Sequence, residues 1–437
     1  MKFINDPGFF RPGRHAAWLL VAALAAAPSF AATDIQVWHT MDEHNAGAFQ
    51  DLVKAYNRGQ SDVQVKLRAF ESPQKLEAAL DEAARAKNLP ALVELGDDQM
   101  LDQIAQRSYI QPFYTQQNNP ALKNTPWFLS SDNAFIYDAK GRLMAFPYML
   151  EIPVMYYNRD AFKKADVEPA VPQRTWIELQ GQLVSLANNG SRKCPLTSDL
   201  PVSINLENLA AVNNQLFASE GNGLKAKGLP SFSFDSTYVR HLSLMISWVR
   251  SEIMVGPQFG PQSVDRFAAG ECAILMSNSG HIGRFNDKRL LRYAVSGLPY
   301  YPEVTKQPGS PFVSGAGLWL TKGDKPRTEA TVQFLAWLAQ PEQAAKWYQR
   351  TGFLPLTRAA FEQTPDTYYK NMGQWRELVA VYSQKASATG QGFRIANYPS
   401  IRARFHQILD SALEGQQPAV TALKLAATEA NKMVRQK

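Results

Sequence analysis

The sequence predicts an α/β protein folded as two lobes. Strand-like and helix-like segments alternate from Asp34 to Leu95, a second strand-like run opens at Pro153, and Pro/Gly-rich stretches separate the blocks. With 437 residues, the chain also exceeds what one hydrophobic core usually holds.

The first 31 residues read as an export signal. Lys2, Arg11 and Arg14 precede the apolar run Ala16 to Ala27, and Ser29-Phe30-Ala31 places small residues at both cleavage-recognition positions. The run is too short to cross a bilayer core of about 30 Å, and no Cys follows it to take a lipid. Cleavage is expected to leave 406 residues, free of the membrane and outside the cytoplasm.

In the remaining chain, Asp34-Ile35-Gln36-Val37-Trp38 alternates polar and apolar residues as a half-buried strand does. Asp42 to Tyr56 then sets Phe49, Leu52, Val53 and Tyr56 at helical spacing. Val63 to Phe70 predicts a strand, Lys75 to Lys87 a helix and Pro90 to Leu95 a short buried strand. Strand, helix, strand in succession implies a mainly parallel sheet.

Pro153 to Asn158 is a compact apolar strand, with a helical patch from Asp160 to Ala165. Crossings between lobes are expected at Pro147 to Pro153, within Gly297 to Pro311, and at Gly352 to Pro355. Phe312 to Thr321 predicts a strand, Arg327 to Leu338 and Pro341 to Tyr348 two helices. The last helix is expected over Ala419 to Val434, burying Val420, Leu423, Ala427, Ala430 and Val434 along one stripe.

The formal charge is +7, and removal of the signal takes out three basic and one acidic side chain, leaving +5 without a Lys/Arg block. A nucleic-acid role needs a clustered basic face and is disfavoured. Cys194 and Cys272 are the only cysteines, open to one bridge or to two buried thiols, and with six scattered His they give no zinc spacing. Phosphate-loop, dinucleotide, His-Glu-x-x-His and Gly-x-Ser-x-Gly patterns are all missing, which lowers the enzyme class. Asp97-Asp98 are adjacent strand-end acids, a poor general acid/base pair because neighbouring side chains point apart.

Several ordered segments resemble one family. They are Trp38-His39-Thr40-Met41, Pro153 to Ala165 followed by Arg174-Thr175-Trp176, Phe267-x-x-Gly270-Glu271-Cys272-Ala273, and Gly315-x-Gly317-Leu318-Trp319. Trp347-x-x-x-Thr351-Gly352-Phe353-Leu354-Pro355 and Asn397-x-Pro399-x-Ile401-Arg402 complete the series. From Ile35 to Val434 the chain is similar to the glycerol-3-phosphate-binding branch of the extracellular solute-binding proteins that serve ABC importers.

The resemblance implies a periplasmic-binding-protein fold, with three hinge crossings and a ligand cleft between lobes. Lobe 1 would take 32–148 with about 305–352, and lobe 2 149–304 with about 353–437. It further implies a periplasmic monomer that binds sn-glycerol 3-phosphate or a glycerophosphodiester, without a cofactor, a metal or catalysis. Its partner would be an integral-membrane permease with cytosolic ATPases.

Position by position, the resemblance assigns Asp97 to the glycerol hydroxyls, Trp176 to an indole wall, Gly315 to a backbone-amide contact and Arg402 to a phosphate clamp, with Arg394 as a possible substitute. Core packing is the rival role of Trp176, a helix cap that of Asp97, a tight bend that of Gly315 and a salt bridge that of Arg402. The chain departs from the family at Ser72 and Phe353, where two phenolic hydroxyls are lost, and at Asn278, which replaces a serine. Glu151 replaces the hinge serine, and a carboxylate there repels phosphate. It would either pair with a basic neighbour or belong to a pocket shifted toward a neutral sugar, a polyol or a cationic head group. The remaining alternative is a secreted hydrolase built on Asp97 and Glu151.

Overall fold

The computed structural model describes residues 32–96, 99–189, 193–225, 227–256 and 261–436, together with Gly8. Apart from Gly8, the expected export signal lies outside these residues, as do Asp97 and Asp98.

Among the described residues, ten strands form two sheets. In chain order they are β1 (Thr33–His39), β2 (Val63–Ala69), β3 (Leu92–Gly96), β4 (Ile110–Gln111), β5 (Phe146–Glu151), β6 (Pro153–Asn158), β7 (Cys194–Ser198), β8 (Cys272–Asn278), β9 (Tyr293–Ser296) and β10 (Ser314–Thr321). The first sheet runs β2-β1-β3-β10-β4 with β5 against β10, and the second runs β7-β8-β6-β9.

The early alternation folds as its pattern dictates. Ile35 and Val37 of β1 face inward while Asp34 and Gln36 are exposed. Helix Glu43–Gly59 starts where the Asp42 carboxylate accepts the amides of His44 and Asn45, and helix Pro73–Arg85 starts at Ser72, which accepts the Lys75 amide with proline at the first turn. β1 lies parallel to β2 and β3, but β10 is antiparallel to β3, β4 and β5. The first sheet is therefore mixed rather than mainly parallel. β10 enters it only after the chain has built the second sheet, and local periodicity carries no sign of such a late insertion.

Only Ile152 separates β5 from β6, so one extended run of chain passes from the first sheet into the second. The path back lies between β9 and β10, where Phe312 packs in the second core and Val313 in the first. Residues 353–382, expected with lobe 2, straddle both units: Arg358 donates its amide to the Pro126 carbonyl, and Gln374 donates its amide to the Val295 carbonyl. The chain rejoins the second core at Ile395, in front of helix Tyr398–Leu413.

Two further differences have simple physical causes. In helix Ala419–Val434 the buried stripe is Ala419, Ala422, Leu423, Ala426, Ala430 and Val434, and Val420 is exposed. The face is rotated by one residue from the expected one because alanines, not the valine, make the close approach to helices Tyr398–Leu413 and Ser236–Arg250. Cys194 and Cys272 occupy partner positions on neighbouring β7 and β8, with Cα atoms 4.4 Å apart, and form a disulfide. Both are fully buried.

Candidate functional site

The carboxyl ends of β1 and β3, the hinge strand β5 and the start of β10 converge at one edge of the first sheet, opposite the second lobe. Open α/β sheets place their ligand crevices at such strand ends. Two connected pockets lie there, sharing Leu95, Gly96 and Gln99.

The first pocket is centred on Glu151, has a cavity volume of about 330 Å³ and takes its lobe-2 wall from Gly280 and His281. Glu151 ends β5, and its two oxygens accept from the Asn278 side-chain amide at 2.8 Å and the Gly280 backbone amide at 3.2 Å. Both donors come from the second lobe, so this carboxylate joins the lobes at the hinge. A Cβ on Gly280 would come within 2.5 Å of Glu151 Oε2, so only glycine admits this approach. Gly315 faces the same pocket with φ of +97°, and a Cβ there would fall 2.2 Å from the Met149 carbonyl. Its bare backbone is thus required by the bend of β10 as well as by the open wall.

Glu94 lines this pocket too, accepting the Thr40 amide at 2.8 Å and the Thr40 hydroxyl at 3.0 Å. Phe353 supplies an apolar side, its ring stacked on Trp347 at 5.6 Å. His281 Nε2 stands 3.9 Å from the Asp199 carboxylate. Burial pushes the imidazole below its usual range and pushes the Asp199 carboxyl above its own.

The second pocket holds Arg402, Arg394 and Glu207, with a cavity volume of only about 70 Å³. A π-helical turn, Ser203–Glu207, carries the Glu207 carboxylate into the wall, where it meets Arg402 Nε at 3.0 Å and receives the Tyr398 hydroxyl. Arg394 crosses to the first lobe and donates to the carbonyls of Tyr137 at 2.8 Å and Ala134 at 3.2 Å.

Of the eight positions singled out in the sequence, Glu151, Gly315 and Phe353 share the first pocket, and Asn278 touches it through its bond to Glu151. Arg402 lies in the second. Ser72 caps its helix one residue before Pro73, which lines the first pocket. Asp97 falls outside the described residues, one position beyond Gly96, which lines both.

Trp176 is placed elsewhere: it is 1% exposed in the second core, 4.6 Å from the His241 ring and 5.9 Å from the Trp248 ring between centroids, so core packing replaces the expected indole wall. It is the first residue of the helix capped by Thr175 and lies on that helix's buried face with Leu179 and Leu183. Glu94, Glu207 and Asn45 were not foreseen. For Glu94 and Glu207 the signal is an acid inside an otherwise apolar buried run, as in Leu92 to Leu95, since such groups remain buried only where something answers them; Asn45 stands among polar and small residues and carries no such signal.

The family model for bacterial extracellular solute-binding proteins matches residues 51–373. The chain is 30% identical over 429 residues to the sn-glycerol-3-phosphate-binding periplasmic protein UgpB of Salmonella typhimurium strain LT2, covering 97% of each chain. It is 29% identical over 428 residues to the UgpB of Pectobacterium atrosepticum, covering 97% of this chain and 96% of that one. In fold it is similar to UgpB from Mycobacterium tuberculosis in complex with glycerophosphocholine, with a TM-score of 0.74 and 16% identity, covering 92% of this chain and 98% of that one. Maltose-bound MalE3 of T. maritima superposes with a TM-score of 0.71 and 16% identity, covering 91% and 99% respectively.

Proposed function

The chain belongs to the bacterial extracellular solute-binding protein family, and from that premise we propose that it is a periplasmic receptor that captures sn-glycerol 3-phosphate or a glycerophosphodiester and hands it to an ABC importer. The observation that carries this reading is a cleft walled by both lobes with basic and hydroxyl-binding groups at opposite ends. Arg402 and Arg394 offer guanidinium groups suited to a phosphate, and Glu151, Glu94 and Asn278 offer acceptors and a donor suited to hydroxyls. Closure of the lobes removes water and lets these few charge-assisted bonds act in a low dielectric.

Glu151 is tied to donors of the second lobe, and among the described residues no group of three or more His, Cys, Asp or Glu could hold a metal ion. The receptor acts as a monomer that binds without covalent change. Its partner is an integral-membrane permease with cytosolic ATPases, a reading supported by membership of the extracellular solute-binding family. The export signal delivers it unanchored.

Calorimetric titration with sn-glycerol 3-phosphate and with maltose tests the assignment. One saturable site for the phosphate ester is expected. Heat with maltose alone would move the chain to the neutral-sugar class, the alternative that Glu151 favours.

A further inference from the structure

A further cavity lies apart from the cleft. Its volume is about 420 Å³, and among the described residues it shares no lining residue with either cleft pocket. Its walls are the segments that join the lobes. Ile152 and Pro153 come from the passage between β5 and β6, Pro308 and Pro311 from the path toward β10, and Leu378 and Tyr382 from residues 373–382. The last segment is fastened at both ends: Gln374 donates its amide to the Val295 carbonyl of β9, and the Tyr382 carbonyl accepts the Ser130 amide beside Leu129 of the first core. The Tyr382 hydroxyl also donates to the Pro311 carbonyl at 2.8 Å. Rotation of one lobe against the other must therefore reshape this cavity.

Against mostly apolar walls stands one basic side chain. Arg174 is half-buried, and its guanidinium lies so close to Gly297 that a Cβ there would fall 2.4 Å from Nη2. Its one side-chain hydrogen bond among the described residues, from Nη2 to the Leu298 carbonyl, is long at 3.4 Å, and Nε is buried with no partner. No carboxylate of the described residues pairs with it, and burial holds its pKa below the usual guanidinium range. A desolvated cation without a counter-charge is costly, and an anion that brings acceptors removes the cost.

Gln374 adds a donor to the same lining. Its side-chain oxygen accepts the Ser296 hydroxyl at 3.1 Å and the Gly297 amide at 3.2 Å, which leaves its NH2 group to donate. Glu377, the one acid of the lining among the described residues, is exposed to solvent, where its charge is screened.

We infer that this cavity is a second binding site, for a small carboxylate with an apolar body, and that its occupancy is coupled to the opening of the lobes. Arg174 and the Gln374 amide hold the carboxylate, while Leu378 and the prolines pack against the body. An inorganic anion would answer the guanidinium but leave the apolar walls wet, and a neutral apolar molecule would leave the cation unanswered. The site itself requires nothing of the solute held in the cleft.

Calorimetric titration of the full mature chain with benzoate tests the site. One benzoate per chain is expected, and Arg174→Gln should weaken it at least tenfold. Leu378→Glu leaves Arg174 in place and sets a second carboxylate in the wall; it should weaken benzoate as much, and it keeps the test open should the Arg174 variant misfold. No benzoate binding, or unaltered binding by both variants, overturns the inference. Coupling is read by titrating sn-glycerol 3-phosphate with and without saturating benzoate. Its affinity should change at least fivefold, and benzoate affinity should change by the same factor when the phosphate ester is saturating. Unchanged affinities overturn the coupling, and displacement of benzoate without a plateau places it in the cleft and overturns the site. This arm alone rests on the phosphate-ester reading: should sn-glycerol 3-phosphate fail to bind, that reading falls, maltose takes its place in the coupling arm, and the benzoate titration still decides the site.

Discussion

Arg402 Nε lies 3.0 Å from Oε1 of Glu207, a residue only 5% exposed, so the guanidinium expected to clamp phosphate is already half of an ion pair in the cleft wall. The pair holds the fork in place before ligand arrives, and a phosphate would share it rather than recruit a free side chain.

Arg402→Ala should therefore have two separable effects. Affinity for sn-glycerol 3-phosphate should fall about 100-fold, the scale of a lost bidentate contact. Stability should fall by about 2 kcal/mol, because the Glu207 carboxylate keeps the Tyr398 hydroxyl but loses its cation. The double variant Arg402→Ala/Glu207→Gln should recover most of the stability and none of the affinity. Wild-type affinity in the single variant would place the clamp elsewhere.

Trp176 separates core from cleft. Trp176→Ala should cost about 3–5 kcal/mol in denaturant unfolding, as large aromatic truncations in a core do. Trp176→Phe should fold and bind ligand with unchanged affinity. A tenfold loss of affinity in the phenylalanine variant would return the indole to the binding wall.

The disulfide closes a sequence separation of 78 residues between adjacent strands. Replacing both Cys194 and Cys272 by Ser should lower unfolding free energy by about 2–5 kcal/mol. Because both sulfurs are buried, a mild thiol reductant should leave the native bond intact and cleave it only under denaturing conditions. Ready reduction of the native protein would contradict that placement.

Acid should weaken the fold through buried histidines. His241 Nδ1 is 3.1 Å from the Tyr301 hydroxyl and Nε2 is 2.9 Å from Asn205 Oδ1, an arrangement that suits the neutral ring. Burial lowers its pKa from 6.5 to about 3, and burial together with Arg402 lowers His406 to about 3. The unfolded chain then takes up these protons first, so the contribution is complete above about pH 6.5 and is lost as pH falls toward 3. Each ring adds at most about 1.4 kcal/mol per pH unit. Denaturant midpoints measured from about pH 7 to pH 4 should decline, and His241→Phe should start lower but decline less steeply. Parallel slopes for the two proteins would remove His241 from the account.

Much of this architecture was legible because the signals were local. Asp42 opens the first helical segment, Pro153 to Asn158 reads as a buried strand, and Pro147 to Pro153 brackets the passage between lobes that β5 and β6 make. What escaped the reading depends on parts of the chain far apart in sequence. The antiparallel β10 joins the first sheet across 218 positions from β3, counting from Gly96 to Ser314, and no periodicity in either segment records it. Glu207 meets Arg402 across 195 positions, and Glu151 meets Asn278 across 127. Trp176 misled because an aromatic at a helix start looks the same in sequence whether it faces a cleft or a core; its contacts with His241 and Trp248 place it in the core.

The account depends most on one solute being held between the lobes and released unchanged. Equilibrium dialysis of the purified mature chain against isotopically labelled glycerophosphodiester, followed by recovery of the label, measures this directly. The expected result is about one ligand retained per chain and returned chemically intact. Label that is not retained, or that returns cleaved to glycerol phosphate and free head group, would contradict it.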